Sequence, residues 1–221
     1  MGINKQYILF DMDGTLTDSK QGILKSMQYA VKHFGIEVKD AELDAYSFFI
    51  GPPLRDGFRR FREIKEEDIE TAVKKYREYY VPHGMFDNQI YEGIEHLLKS
   101  LKERGKTVIL ATSKNELFAK QILEHFGILK YFDFTVGAEL DGSRSDKAEI
   151  ILACLERIGL DKKPLTVMVG DRNHDITGAA KNNIESVGVL YGYGSFEELA
   201  QGEYKADYIV KTVGELTDLL L

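Results

Sequence analysis

The feature that most constrains this chain is an apolar run that stops on two carboxylates. Tyr7, Ile8, Leu9 and Phe10 are four consecutive apolar residues, too few for a stable helix and suited to a buried strand. The pattern halts at Asp11 and Asp13, followed at once by Gly14 and Thr15. Ending a buried strand on charge is costly unless the carboxylates meet a cation or a hydrogen-bonding ligand. An edge turn is the plainer alternative, because Asp and Gly are common turn residues.

Two later runs end in the same way. Residues 107–111 lead into Thr112 and Ser113, and residues 165–169 into Gly170 and Asp171. Helical spacing separates them. Ile94, Leu97, Leu98 and Leu101 stop at Gly105; Phe118, Ile122, Leu123 and Phe126 stop at Gly127; residues 146–158 stop at Gly159. A strand is expected near residues 134–136, a short helix over 175–181, strands over 186–190 and 208–210, and a final helix over 213–221. Strands alternating with helices predict an α/β fold, a Rossmann-like parallel sheet with helices on both faces and right-handed crossovers.

In such sheets the ligand crevice lies beyond the carboxyl ends of the strands. If the three runs are neighbours, Asp11, Thr112 and Asp171 share one crevice. Asp175, four residues after Asp171, adds a further hard oxygen donor, and an oxygen-only set suits Mg²⁺. Asp175 could instead only cap the helix that begins at Ile176. Lys147 opens a helix, where a cation is unfavourable for the dipole. It is therefore a candidate partner for the carboxylates or a phosphate, against the usual fate of a solvated lysine.

The intervening stretch differs. Ile23, Leu24, Met27, Ala30, Val31 and Phe34 recur at helical spacing before Gly35. A second amphipathic stretch covers residues 40–49. Ile50-Gly-Pro-Pro-Leu-Arg55 then breaks the chain before a short helix containing Phe58 and Phe61. Ile69, Ala72, Val73, Tyr76, Tyr79 and Tyr80 form another stripe that ends over residues 81–84. No convincing strand occurs there. The expected organisation is a core of residues 1–17 and 86–221, with an all-helical insert over 18–85. The helical spacing of Tyr76 to Tyr80 reads as insert core, ahead of a stacking surface for a nucleobase.

Composition narrows the partners. With 29 basic and 36 acidic residues the net charge is −7, which argues against a dedicated nucleic-acid or anionic-membrane binder. Cys154 is the only cysteine, so an intrachain disulfide or a cysteine-based zinc site is excluded; its apolar spacing marks a buried helix position. The absence of a signal-like stretch or a membrane-length apolar run leads to the expectation of a cytoplasmic protein.

Taken together, Phe10-Asp11-Met12-Asp13-Gly14-Thr15-Leu16, Ala111-Thr112-Ser113, Lys147 and Gly170-Asp171-Arg172-Asn173-His174-Asp175 resemble, in order and interval, the four motifs of the haloacid dehalogenase superfamily of phosphotransferases. Ile50-Gly-Pro-Pro-Leu54 and Leu190-Tyr-Gly-Tyr-Gly-Ser195 look like its phosphoglycolate phosphatase-like branch, although Glu92 stands where that branch often has proline. The resemblance implies a helical cap on the core and a Mg²⁺-dependent phosphatase acting on a small phosphorylated metabolite, as monomer or homodimer. It implies Asp11 as the nucleophile that becomes an aspartyl phosphate, and Asp13 as general acid and base. Asp11, the Asp13 carbonyl and Asp171 would hold Mg²⁺, with Asp175 acting through a water or by orienting its neighbours. Gly14, Thr15, Thr112 and Ser113 would bind the phosphoryl group, and Lys147 would offset its charge. Arg55 is the preferred specificity residue, because a guanidinium grips a second anionic group. Asp13 separates the chain from dehalogenases proper and from phosphonate-cleaving members, which lack an acid there. A 5′-nucleotidase and a β-phosphoglucomutase-like enzyme remain alternatives. A non-catalytic phosphate-ligand binder is the rival of another class, and replacement of Asp11 would have been its signature.

Overall fold

The computed structural model describes residues 2–140 and 144–221. Contacts divide the chain into two compact units, Met1–Thr17 with Ile90–Leu221, and Asp18–Gln89.

The first unit is built on β1 (Tyr7–Phe10), whose Ile8, Leu9 and Phe10 are fully buried. Each such side chain contributes roughly 1.5–3 kcal/mol by leaving water, which explains why so short a run is the centre of the sheet. The chain leaves through the two-residue β2 (Thr17–Asp18).

In the second unit α1 (Lys20–Lys32) ends before Gly35, as its spacing predicts. Residues Asp40–Phe49 form a 3₁₀ helix, and α2 (Leu54–Arg59) is shorter than expected, leaving Phe61 beyond its end. Then α3 (Ile69–Tyr79) runs into a π-helical turn, Tyr80–Gly84. A Cβ on Gly22 would lie 1.9 Å from the Gly84 carbonyl oxygen, so α1 meets this turn backbone to backbone. The interior is aromatic: the Phe58 ring lies 4.9 Å from Phe49 and 6.4 Å from Tyr76, which stacks on Tyr80 at 5.2 Å. Tyr76 and Tyr80 are core residues, as their spacing implied.

The chain returns through β3 (Gln89–Ile90), which pairs with β2 in a two-stranded sheet. Two residues carry no readable period, so the sequence does not announce either strand; only Asp18 of β2 falls within the stretch over 18–85 expected to be strand-free, and β3 lies beyond it. The first unit continues with α4 (Ile94–Glu103), β4 (Thr107–Asn115), α5 (Glu116–His125), β5 (Phe134–Ala138) and α6 (Lys147–Ile158). It closes with β6 (Thr166–Gly170), α7 (Asn173–Lys181), β7 (Glu185–Val189), α8 (Phe196–Ala200), β8 (Tyr208–Val210) and α9 (Val213–Leu220).

Six strands form one parallel sheet in the order β5-β4-β1-β6-β7-β8, flanked by helices. The chain moves from β1 outward to β4 and β5, then crosses to β6 on the other side. The switch of direction therefore lies at β1, where a ligand crevice is expected. Cys154 is buried in the core between α6 and the sheet, and burial pushes its thiol up to about 12. Among the described residues no helix is long and apolar enough to cross a membrane.

Candidate active site

The register of the sheet brings the polar strand ends together. Phe10 is level with Leu110 on β4 and with Val169 on β6, and the Asp11 N–H donates to the Val169 carbonyl at 2.9 Å. Asp11, Ala111 and Gly170 thus stand side by side, with Met12, Thr112 and Asp171 one step further. Asp11 and Asp13 are 4% and 7% exposed, Lys147 5%, and Asp171 and Asp175 0%.

Lys147 lies at the first position of α6, behind the Asp146 side chain that accepts from the Ala148 N–H at 2.7 Å. Its Nζ is 2.7 Å from Asp11 Oδ1 and 2.8 Å from Asp175 Oδ1, and donates to the Ala111 carbonyl at 3.0 Å. A cation at a helix N-terminus is explained by these anions. Burial opposes the lysine charge, but Asp11 and Asp175 outweigh it and hold the group above its usual range.

The carboxylates are pushed the other way. Burial raises Asp11 to about 6 despite Lys147, with Asp175 adding to the rise. Burial likewise puts Asp171 well above the usual carboxylate range, reinforced by Asp175 and Asp11. Asp175 lies inside the first turn of α7 and not ahead of it; its Oδ2 accepts from the Arg172 N–H at 3.1 Å. It caps and faces the cluster at once.

Asp11, Asp171 and Asp175 each offer a carboxylate oxygen within 4.8 Å of the others. Asp171 Oδ1 is buried without a hydrogen-bond partner among the described residues. With Asp13, four carboxylates face two ammonium groups, those of Lys147 and Lys114. Fully ionised, this leaves two uncompensated negative charges in a buried site, and a buried charge needs a partner. An all-oxygen donor set of this charge fits one hard divalent cation. The Asp13 carboxylate is outside the three-carboxylate cluster.

Thr112 is buried at the end of the apolar part of β4, and its Oγ1 accepts from the Lys114 N–H at 3.2 Å. Ser113 follows it, half-buried, on a strand that runs to Asn115 instead of stopping at Ala111. Thr15 Oγ1 is buried without a partner among the described residues. Gly14 has φ +84°, and a Cβ there would fall 2.1 Å from Asp171 Oδ2. Arg55 lies in the helical unit, where its guanidinium forks onto Glu70 at 2.5 and 3.0 Å. His174 is exposed and stands in neither the carboxylate cluster nor its ion pairs.

Three further groups of the site carry no distinctive signal in the sequence. Lys114 Nζ is 2.8 Å from Asp13 Oδ2; in the sequence it is only a lysine immediately after Thr112-Ser113 at a strand end. The Tyr193 N–H donates to Asp171 Oδ2 at 2.8 Å, and Tyr191 Oη donates to the Thr15 carbonyl at 3.0 Å. In the sequence, residues 190–195 read only as a marker of the phosphoglycolate phosphatase-like branch.

The parallel α/β core carries a buried acid cluster at its switch strand, and comparison with known proteins gives it a family. The family model described as haloacid dehalogenase-like hydrolase matches residues 8–189, and the chain belongs to that family. It is 42% identical over 192 residues to a 5′-nucleotidase of Pseudomonas aeruginosa, covering 87% of this chain and 86% of that one. It is 38% identical over 214 residues to the tyrosine-protein kinase PtkA of Mycobacterium tuberculosis, covering 96% of this chain and 67% of that one. The crystal structure of a predicted phosphatase from Clostridium acetobutylicum superposes with a TM-score of 0.91 at 45% identity, covering 98% of each chain. More distant relatives include a pyrophosphatase and a phosphoglycolate phosphatase. The chain is a phosphatase of the haloacid dehalogenase-like family.

Proposed function

We propose that this protein hydrolyses small phosphomonoesters in a Mg²⁺-dependent reaction through an aspartyl phosphate on Asp11. The observation that carries the reading is the buried Asp11 carboxylate, paired with Lys147 at 2.7 Å and clustered with Asp171 and Asp175. Asp11 attacks phosphorus, a displacement that a carboxylate nucleophile divides into two easier steps. Asp13 protonates the leaving oxygen, then takes a proton from the water that hydrolyses the acyl phosphate. Lys147 offsets charge on the equatorial oxygens, the main requirement in phosphoryl transfer. Thr112 Oγ1 already accepts from a backbone N–H, so its hydroxyl proton is available to the phosphoryl group; Ser113, Gly14 and Thr15 complete the cradle. Asp11, the Asp13 carbonyl and Asp171, with Asp175 behind them, would hold Mg²⁺, which would supply positive charge to the phosphoryl oxygens.

The helical insert, residues 18–85, is proposed to select the leaving group, with Arg55 exchanging Glu70 for a second anionic group of the substrate. The 42% identity to a protein named 5′-nucleotidase favours nucleoside 5′-monophosphates over phosphoglycolate, whose named relative is 27% identical.

The test is phosphate release with and without Mg²⁺, for the wild type and Asp11→Asn, from phosphoglycolate, nucleoside 5′-monophosphates, pyrophosphate and hexose phosphates. Metal-dependent release that disappears in Asp11→Asn supports the mechanism, and the best substrate identifies the leaving group. Metal-independent release, or a fully active Asp11→Asn, overturns it.

A further inference from the structure

We propose that Lys114 is a positioning residue for proton transfer: its ammonium group anchors one oxygen of Asp13 and leaves the other as the oxygen that gives and takes the proton. The inference rests on the reading of Asp13 as general acid and base given above.

Lys114 Nζ lies 2.8 Å from Asp13 Oδ2, and the two side chains are 8% and 10% exposed. Asp13 Oδ1 is buried with no hydrogen-bond partner among the described residues. An ammonium group donates and cannot accept, so Oδ2 is held as an acceptor and a proton on this carboxyl resides on Oδ1. The lysine is delivered by a fixed backbone. Its N–H donates to Thr112 Oγ1 at 3.2 Å, and the next residue is tied twice, Asn115 Nδ2 donating to the Ala138 carbonyl at 3.1 Å and Oδ1 accepting from the Phe118 N–H at 3.3 Å. Lys147 thus serves Asp11 and Asp175 while Lys114 serves Asp13.

In the first step a bond forms from the Asp11 carboxylate to phosphorus, the bond to the leaving oxygen breaks, and that oxygen takes the proton from Asp13 Oδ1. In the second, water oxygen bonds to phosphorus, the bond to Asp11 breaks, and the water proton goes to Oδ1. Without Lys114 the carboxyl can turn and present either oxygen. The loss should therefore fall on steps that move a proton.

4-Nitrophenyl phosphate separates these steps, because nitrophenolate departs without a proton whereas an alkoxide needs one. In Lys114→Met, first-turnover nitrophenolate release should stay within about threefold of wild type while steady-state turnover falls about 30-fold, the scale of a misplaced acid–base group. On a nucleoside monophosphate or phosphoglycolate, kcat should fall by a similar factor, with KM within about threefold. Lys114→Arg should recover most of the rate. The proposal is overturned if Lys114→Met turns over normally, raises KM with kcat kept, slows the nitrophenolate first turnover as much as the alkyl reaction, or is not rescued by arginine. Asp13→Asn is run in parallel. If it hydrolyses alkyl phosphates normally, the reading of Asp13 has failed; if it stalls after one nitrophenolate while Lys114→Met behaves as wild type, only the role of Lys114 has failed. Should Lys114→Met lose its circular dichroism signal, Lys114→Gln is judged by the same criteria.

Discussion

The two units of this protein handle the same residue types in opposite ways. In the α/β unit, Asp11, Asp13, Asp171, Asp175 and Lys147 are buried, and burial is the leading cause of the raised Asp11 and Asp171 values. In the helical unit several charges pair at the exposed surface, Arg59 with Asp56 and Glu66 and Lys75 with Glu78, and the interior is Phe49, Phe58, Tyr76 and Tyr80. Exposed pairs are worth little, whereas a buried carboxylate without a full set of partners is a burden on folding. The difference teaches where selection for stability yields. The helical unit packs an aromatic interior, and the α/β unit concentrates its buried carboxylates at the crevice.

The sharpest test of this contrast is Asp11→Asn. It should reduce phosphatase turnover by about 10³-fold or more while leaving the fold intact. In metal-free buffer at neutral pH it should melt higher than wild type, because a charge that burial disfavours is gone. A lower melting temperature would mean that the Asp11 carboxylate stabilises the core. Phe58→Ala is the counterpart in the helical unit. Emptying a fully buried aromatic site should cost about 3–5 kcal/mol in denaturant unfolding, and a loss near zero would show that this aromatic interior is loosely packed.

A third, smaller effect concerns pH. Asp11 stands near 6 when folded against 3.8 for the free side chain, so the folded state holds the proton more tightly. The stability associated with that proton is full below about pH 3.8 and is lost as pH rises through 6; Asp171 shifts in the same direction. Without divalent metal, the melting temperature should fall between pH 4 and pH 7. Added Mg²⁺ should raise it more at pH 7 than at pH 5, and an equal rise at both would break the link between the cluster and the cation. The smallest effect is expected from Arg59→Ala, whose exposed pairs should leave the unfolding midpoint unchanged; a clear shift would give the exterior of the helical unit a structural role.

Much of this architecture was legible because its signals are local. The apolar run to Phe10 and the spacing of Ile150, Ile151, Cys154 and Leu155 report burial directly, and Gly35 marks a left-handed turn after α1. Lys147 was legible by being misplaced, a cation where a helix prefers an anion. Other features were hidden for equally physical reasons. Thr112, Ser113 and Lys114 are polar, so the apolar pattern ends at Ala111 although the strand continues to Asn115. The pairing of Lys114 with Asp13 spans 101 positions and leaves no periodic trace. Tyr193 serves Asp171 through its backbone N–H, which every residue but proline possesses, so the side chain is silent about it. The pairing of Arg55 with Glu70 depends on how α2 and α3 pack, and spacing along the chain does not encode that.

The glycines beside Asp171 have a consequence for anyone wishing to retune this enzyme. A Cβ on Gly14 would sit 2.1 Å from Asp171 Oδ2, and one on Gly192 would sit 2.2 Å from the Gly14 carbonyl oxygen and 2.5 Å from Asp171 Cβ. Backbone, with no side chain, forms this wall of the acid cluster. A saturation library at either position should return glycine almost alone among active clones, so laboratory evolution has no route to a new specificity through this wall. Diversity has to be introduced at a distance, in parts of the chain where a side chain can change size without displacing a carboxylate.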